Sequence, residues 1–425
     1  MQRDTDAPGR DDVAARGIAR YAAVWRIPHA PNLLIHGTLG RLGLGITSLA
    51  LILHVAGVLG RYTPAAVAAA CYALASAAVA PVVGRLADRL GPAPVLRVTA
   101  VAHPVALILL LVASRGPVLL IWGASALAGA TYPPLTGAVR GAWNALTSAG
   151  SGRHGLRTPA LAAEAILVEI IFVVGPLLVA GLIAVSGPGV ALVAAAFVTL
   201  VGTLLVAGNP AMRRLPSGPS HARTRGLGPL RVAGFVALVA CAGSLGMSFG
   251  SAGVAVSAFA SQHAGPGSES LAGVLLAVWG LGSAFGGAWY GTRAFVTPLA
   301  RQLGWLLAAV AFSLALLAVV PSTGLMAVVL IVGGAAIAPA MIAANTLVGR
   351  IVPAAMHTEA YSWIVTVSVS CGALGGALTG YLVDYVGVPW AFAAMAACVA
   401  GGALVAAWPS GSLTIADEAP GDAPA

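Results

Sequence analysis

Three charged residues stand deep inside long apolar runs: Arg41, Glu164 and Glu169. A charge in hydrocarbon costs a few kcal/mol on insertion scales, so each is expected to find a partner or to face water. One guanidinium and two carboxylates leave one negative charge over. One acid can pair with Arg41, and burial favours the protonated form of the other. A carboxylate that gains and loses a proton inside a membrane helix can couple a proton to movement. Glu169 lies deeper in its run, nearer the estimated depth of Arg41, and is the first candidate to form the pair or to exchange it for a proton. Glu164 is the second. Five residues apart on a helix is a turn of about 140°, so the two acids cannot share one face. The alternative is a static lock between Arg41 and the acids, with no part in coupling. For Arg41 alone, snorkelling to the surface is a third reading.

The elements that must position these groups are transmembrane helices. Of the 425 residues 59% are hydrophobic and only 8% charged, with a mean hydropathy of +0.93. A soluble domain carries roughly a quarter charged residues. Apolar runs of bilayer-spanning length fall at about 33–56, 65–83, 94–114, 118–139, 159–182, 189–208, 231–260, 271–290, 300–320, 325–348, 359–383 and 389–408. The first 30 residues are charged and lack an apolar core, so no signal peptide is expected. All 22 basic residues are Arg. Nineteen fall in the segments on the N-terminal side of the membrane and only Arg61 and Arg115 in the opposite loops. That bias predicts a plasma-membrane protein with both termini cytoplasmic, and it accounts for the net charge of +9 without nucleic acid.

Composition also excludes. With no Lys there is no P-loop and no Schiff base, hence no intrinsic ATPase and no retinal or pyridoxal cofactor; no ATPase subunit is implied either. Gly150, Gly152 and Gly155 spell G-x-G-x-x-G, but no strand precedes them. Cys71, Cys241, Cys371 and Cys398 lack metal-ligand spacing and read as packing residues. No cofactor or metal is expected, and no nucleophile–base constellation points to an enzyme.

Between the second and third runs stands Gly84-Arg85-Leu86-Ala87-Asp88-Arg89-Leu90-Gly91, read as a tight, charged turn at the membrane surface. It resembles the signature loop of the major facilitator superfamily of secondary transporters, G-x-L-a-D-r-x-G followed by a basic pair. Pro92 and Ala93 stand in place of that pair. The resemblance implies two pseudo-symmetric six-helix bundles, residues 33–208 and 231–408, with a substrate site between them. It also implies a cytoplasmic gate at Gly84, Asp88, Arg89 and Gly91. Gly175-Pro176 resembles the helix 5 signature of the drug/proton antiporter branch and implies a kink and export. That branch often carries an Arg inside helix 4, where this chain has Ser125; Arg41 is a conceivable substitute.

The halves repeat. Gly129-Ala130 with Pro134 recurs as Gly334-Ala335 with Pro339, and the signature loop has a worn counterpart at Gly291-Thr292-Arg293. Residues 1–32 form a polar tail with an interfacial anchor at Tyr21 and Trp25, residues 209–230 a flexible cytoplasmic linker, and residues 409–425 a disordered tail. Candidate cavity residues are Tyr132, Pro134, Ser244, Ser248, Pro339, Asn345, Tyr361 and Trp363. The Ser and Gly stripe around Ser244 suits helix packing equally. His103 reads as a packing or hydrogen-bonding residue, while Asp384 and Glu269 read as solvated. Together these features predict a monomeric carrier whose partners are protons, a small lipophilic solute and the bilayer. The leading reading is proton-driven export; the others are proton-coupled uptake and a non-transporting sensor.

Overall fold

The computed structural model describes residues 18–148, 152–213, 228–264, 269–292, 297–353, 356–408 and 411–418. The expectations for residues 1–17, for residues 214–227 of the linker and for Arg293 lie outside those residues. A short helix α1 (Ile18–Trp25) precedes α2 (Ala30–Leu59), α3 (Tyr62–Leu90), α4 (Pro92–Ala113), the pair α5 (Val118–Ala130) and α6 (Leu135–Leu146), α7 (Arg157–Ser186) and α8 (Pro188–Gly208). After the one-turn α9 (Pro210–Arg213) come α10 (Phe235–Ala264), α11 (Glu269–Gly291) and α12 (Leu299–Leu317). The pair α13 (Thr323–Gly334) and α14 (Ile337–Ile351) follows, then α15 (His357–Tyr385), α16 (Val388–Ala407) and the short α17 (Ser412–Glu418). With each broken pair taken as one, twelve segments among the described residues are long and apolar enough to span a bilayer, at the places hydropathy indicated. Twelve crossings bring the start of α2 and the end of α16 to one side, the termini side. The other is the far side.

The fourth and tenth segments are broken at matching places. Pro133 and Pro134 offer no N–H, so α5 cannot run on into α6. The second break falls at Ala335–Ala336, before Pro339. Pro339 itself is buried in the first turn of α14, where a missing N–H costs nothing, so it packs rather than opening the backbone.

Lipid tails are as apolar as Leu, so helices associate here through close packing of small residues. A Cβ on Gly202 would fall 2.4 Å from the Cα of Gly40, which brings α8 against α2. A Cβ on Gly129 would fall 2.0 Å from the Tyr72 carbonyl oxygen, which brings α5 against α3. Separate cores fill the two halves, and a small cluster of Ile52, Ala66 and Val254 bridges them.

That bridge lies toward the far side, as do the other close approaches between the halves. Gly380 of α15 packs on Tyr62, Thr63 and Ala66 of α3, and Gly273 of α11 packs on Pro176 and Ala180 of α7. Toward the termini side the same helices part. From Ala73 to Leu90 of α3 and from Tyr361 to Cys371 of α15 no described side chain is buried on any face. A lipid-facing stripe covers only one side of a helix, so these stretches also border an open cleft. The molecule is shut on the far side and open on the termini side.

Three expectations need correction. The stretch from Gly84 to Leu90 is not a loop: it completes α3, and the turn is Gly91 alone, at φ 85°, with Pro92 starting α4. The end of the chain is ordered over α17, with Leu413 fully buried and the Asp417 side chain inaccessible. Asp384 is not solvated; its carboxylate sits against the start of α3.

Candidate functional site

Arg41 and Glu164 form a buried ion pair, Nη2 to Oε1 at 2.7 Å, and Arg41 Nη2 also donates to the Leu135 carbonyl at 3.4 Å. Both side chains are more than nine-tenths buried, which excludes snorkelling for Arg41. The acid that pairs is therefore Glu164 and not Glu169, and the reason is the face of α7. Glu164, Ile171 and Gly175 lie on one helical stripe, spaced seven and four residues. That stripe meets α2: a Cβ on Gly175 would fall 2.7 Å from the Gly45 carbonyl carbon, and one on Gly45 would fall 2.8 Å from the Ile171 oxygen. Gly45 is one turn beyond Arg41. By rise along the helices Arg41 stands roughly 16 Å from the start of α2, with Glu164 and Glu169 roughly 10 and 18 Å from the start of α7. Depth alone favours Glu169. But helical side chains lean toward the N-terminus, which lowers a long Arg toward Glu164. Orientation decides.

Glu169 falls on another stripe, with Val173, Pro176 and Ala180. Those three residues face the second half. Pro176 and Ala180 meet Gly273 of α11, and Val173 meets Gly280. Glu169 is one turn nearer the termini side than the last of these contacts. It is half-buried, and no hydrogen bond or ion pair joins it to another described residue. So α7 carries one acid locked inside its own half and one free acid where the two halves begin to part.

Gly175 and Pro176, expected as a kink, sit in a helix that runs unbroken from Arg157 to Ser186. Their geometry is that of two seats: Gly175 receives Gly45, and the Pro176 carbonyl receives Gly273. Neither partner glycine was singled out from the sequence.

Tyr132, in the break between α5 and α6, meets His103 of α4 edge-to-face at 5.3 Å, and Tyr72 of α3 lies 6.1 Å from the same imidazole. His103 Nδ1 bonds to the Ala128 carbonyl at 2.8 Å. Tyr72 Oη, Tyr132 Oη, His103 Nε2, Arg41 Nε and Glu164 Oε2 are buried without a hydrogen-bond partner among the described residues. The first half thus holds polar groups at mid-membrane that an apolar core would not retain. Pro134 ends the break and is half-buried.

The second half contributes polar groups nearer the termini side. Tyr361 Oη donates to the Asn345 carbonyl at 3.2 Å. The two line a cavity of about 590 Å³ with Ile342, Thr346, Gly349 and Arg350. Trp363 is exposed. Ser244 and Ser248, in contrast, are buried and donate to the Cys241 and Leu245 carbonyls of their own helix, and the Ser244 hydroxyl packs on Gly402 of α16. They belong to a packing seam. Of the gate residues, Arg89 is exposed in the last turn of α3 and Gly84 has open space where a side chain would be. The Asp88 side chain lies outside the described residues.

Neither a family model nor a curated protein sequence matches the chain. Solved structures do share its shape. The nucleoside transporter NupG superposes with a TM-score of 0.65 at 17% identity, over 89% of this chain and 98% of that one. A peptide transporter POT in complex with sulfate gives 0.67 at 14%, over 89% and 93%. A POT family transporter in complex with 5-aminolevulinic acid gives 0.65 at 13%, over 88% and 94%. The chain is a multi-pass membrane protein with the major facilitator fold, all α, in two six-helix bundles. These neighbours are transporters, not enzymes.

Proposed function

We propose that the protein is a proton-coupled secondary transporter that carries a small polar solute by alternating access, and that Glu169 carries the coupling proton. The observation that carries this reading is the free carboxylate of Glu169 on the one face of α7 that meets the other half. Protonation there changes a charge at the seam that must open and close, and Arg41–Glu164 is then the static lock. Burial and solvation compete at such a site, so its proton can exchange when the cleft changes side.

A polar solute fits the cleft better than the lipophilic one expected from composition. Asn345, Thr346, Arg350 and Tyr361 line its second-half cavity. Proteins of this fold include carriers named for nucleosides and peptides. Uptake by symport is preferred to export, because the Gly175-Pro176 pair that suggested the antiporter branch has a packing role. The termini side is the cytoplasm by the Arg bias, the membrane is the plasma membrane, and the chain works as a monomer.

Flux in right-side-out vesicles tests this, with nucleosides, di- and tripeptides and lipophilic dyes as cargo. Accumulation of a polar cargo under an outside-acid gradient is the expected result. Glu169→Gln should lower that accumulation at least about tenfold while solute-for-solute exchange survives, as loss of an obligatory proton step requires. Gradient-driven accumulation that survives Glu169→Gln sinks the coupling assignment. Uptake into everted vesicles under an inside-acid gradient would mean export.

A further inference from the structure

The start of α3 has no cap of its own: its N-cap position is Arg61, which offers no side-chain acceptor. The unpaired N–H groups are met from the other half of the molecule, 321 and 322 residues along the chain. Asp384, in the last turn of α15, accepts from the Tyr62 N–H at 3.0 Å, the Thr63 N–H at 2.7 Å and the Thr63 hydroxyl at 2.5 Å. That hydroxyl also lies 3.2 Å from the Gly380 carbonyl. Around this core Arg61 Nε approaches Asp384 at 3.8 Å, and its guanidinium lies 5.3 Å from the Tyr385 ring centroid and donates to the Tyr385 hydroxyl. Tyr62 donates to Ser261 of α10 at 3.3 Å.

We propose that Asp384 is the latch of the far-side gate, a carboxylate on one half that caps a helix of the other and must let go before the cleft can open there. Three features of the geometry support this. Asp384 accepts from backbone donors that have no alternative within their own helix, so the contact satisfies both sides at once. A carboxylate at a helix N-terminus gains from the helix dipole as well as from the hydrogen bonds. And directly beneath it Gly380 packs on Tyr62, Thr63 and Ala66, beside the small cluster of Ile52, Ala66 and Val254, so the carboxylate stands at the rim of the contact between the halves. Arg61, half-exposed at the rim, adds little.

The latch concerns the opening of the far side and not what is carried, so its test needs no substrate. Val254→Cys, in a chain whose four native cysteines are replaced by Ser, places a thiol behind the gate. A charged, membrane-impermeant methanethiosulfonate applied to the far side should react slowly. Adding Asp384→Asn should raise the rate at least about tenfold, the factor for losing charge-assisted bonds. Thr63→Val keeps the charge and removes one donor; about a threefold rise is expected, with Arg61→Gln near unity. Should Asp384→Asn fail to fold, Thr63→Val decides. A second readout uses spin labels at Val58→Cys and Val386→Cys, exposed at the far ends of α2 and α15. Their distance distribution should gain a longer component when the latch is cut. Labelling within twofold of the parent in both variants, with an unchanged distance distribution, overturns the proposal. Loss of gradient-driven flux in Glu169→Gln alone, with gate opening intact, would bear on the coupling residue and leave the latch standing.

Discussion

Arg41 and Glu164 neutralise each other in a place where neither charge could stand alone. Removing one partner of a buried pair leaves an uncompensated charge and typically costs about 3–5 kcal/mol. Arg41→Met and Glu164→Gln should therefore each lower thermal stability in detergent sharply, by enough to reduce membrane yield. The double variant Arg41→Met with Glu164→Leu should recover most of that loss, because it removes both charges together. A double variant no better than the worse single one would contradict a closed structural pair and return Glu164 to candidacy for coupling. The presence of an intramembrane charge cluster was legible from residue types alone. Which acid pairs was not, because the sequence gives depth while the partner is chosen by helix rotation.

At the scale of the element, α7 is a two-faced rod. The Gly175 face packs within the first half, and the Pro176 face meets the second. Two conservative substitutions should separate these roles. Gly175→Ala puts a methyl 2.7 Å from the α2 backbone in a contact that is permanent, so it should destabilise the fold by about 1–3 kcal/mol, as overpacking does. Gly273→Ala puts a methyl 2.4 Å from the Pro176 carbonyl oxygen, but only while the far side is closed. It should leave melting temperature little changed and raise far-side thiol reactivity at position 254. Equal destabilisation by both would mean that the seam does not open. Helix count and helix places followed from hydropathy. The faces did not, since a helix that is apolar all round shows no stripe to orient it. Nor did Pro339 betray its burial, because its surroundings are supplied by neighbouring helices.

For the whole molecule, closure on the far side and parting on the other make one end-state of a rocking motion. A thiol at Trp363→Cys should react from the termini side at least about tenfold faster than one at Val254→Cys, the contrast that a single dominant conformer requires. Comparable rates would indicate that both end-states are well populated at rest. The architecture as a whole was readable because lipid demands long apolar helices. The gate was not readable, since Asp384 and Thr63 are brought together only when two bundles assemble.

The short helix α17 carries a practical consequence. Asp417 reaches back to the Ala300 N–H at 2.9 Å, where α12 begins after Pro298 with no cap of its own, and it holds Arg350 at 3.4 Å beside the cavity of the second half. A fusion partner or affinity tag joined before Asp417, or a truncation that removes Asp417, would strip a helix start of its acceptor, at a cost of about 0.5–2 kcal/mol. Purification handles for this protein belong after Glu418.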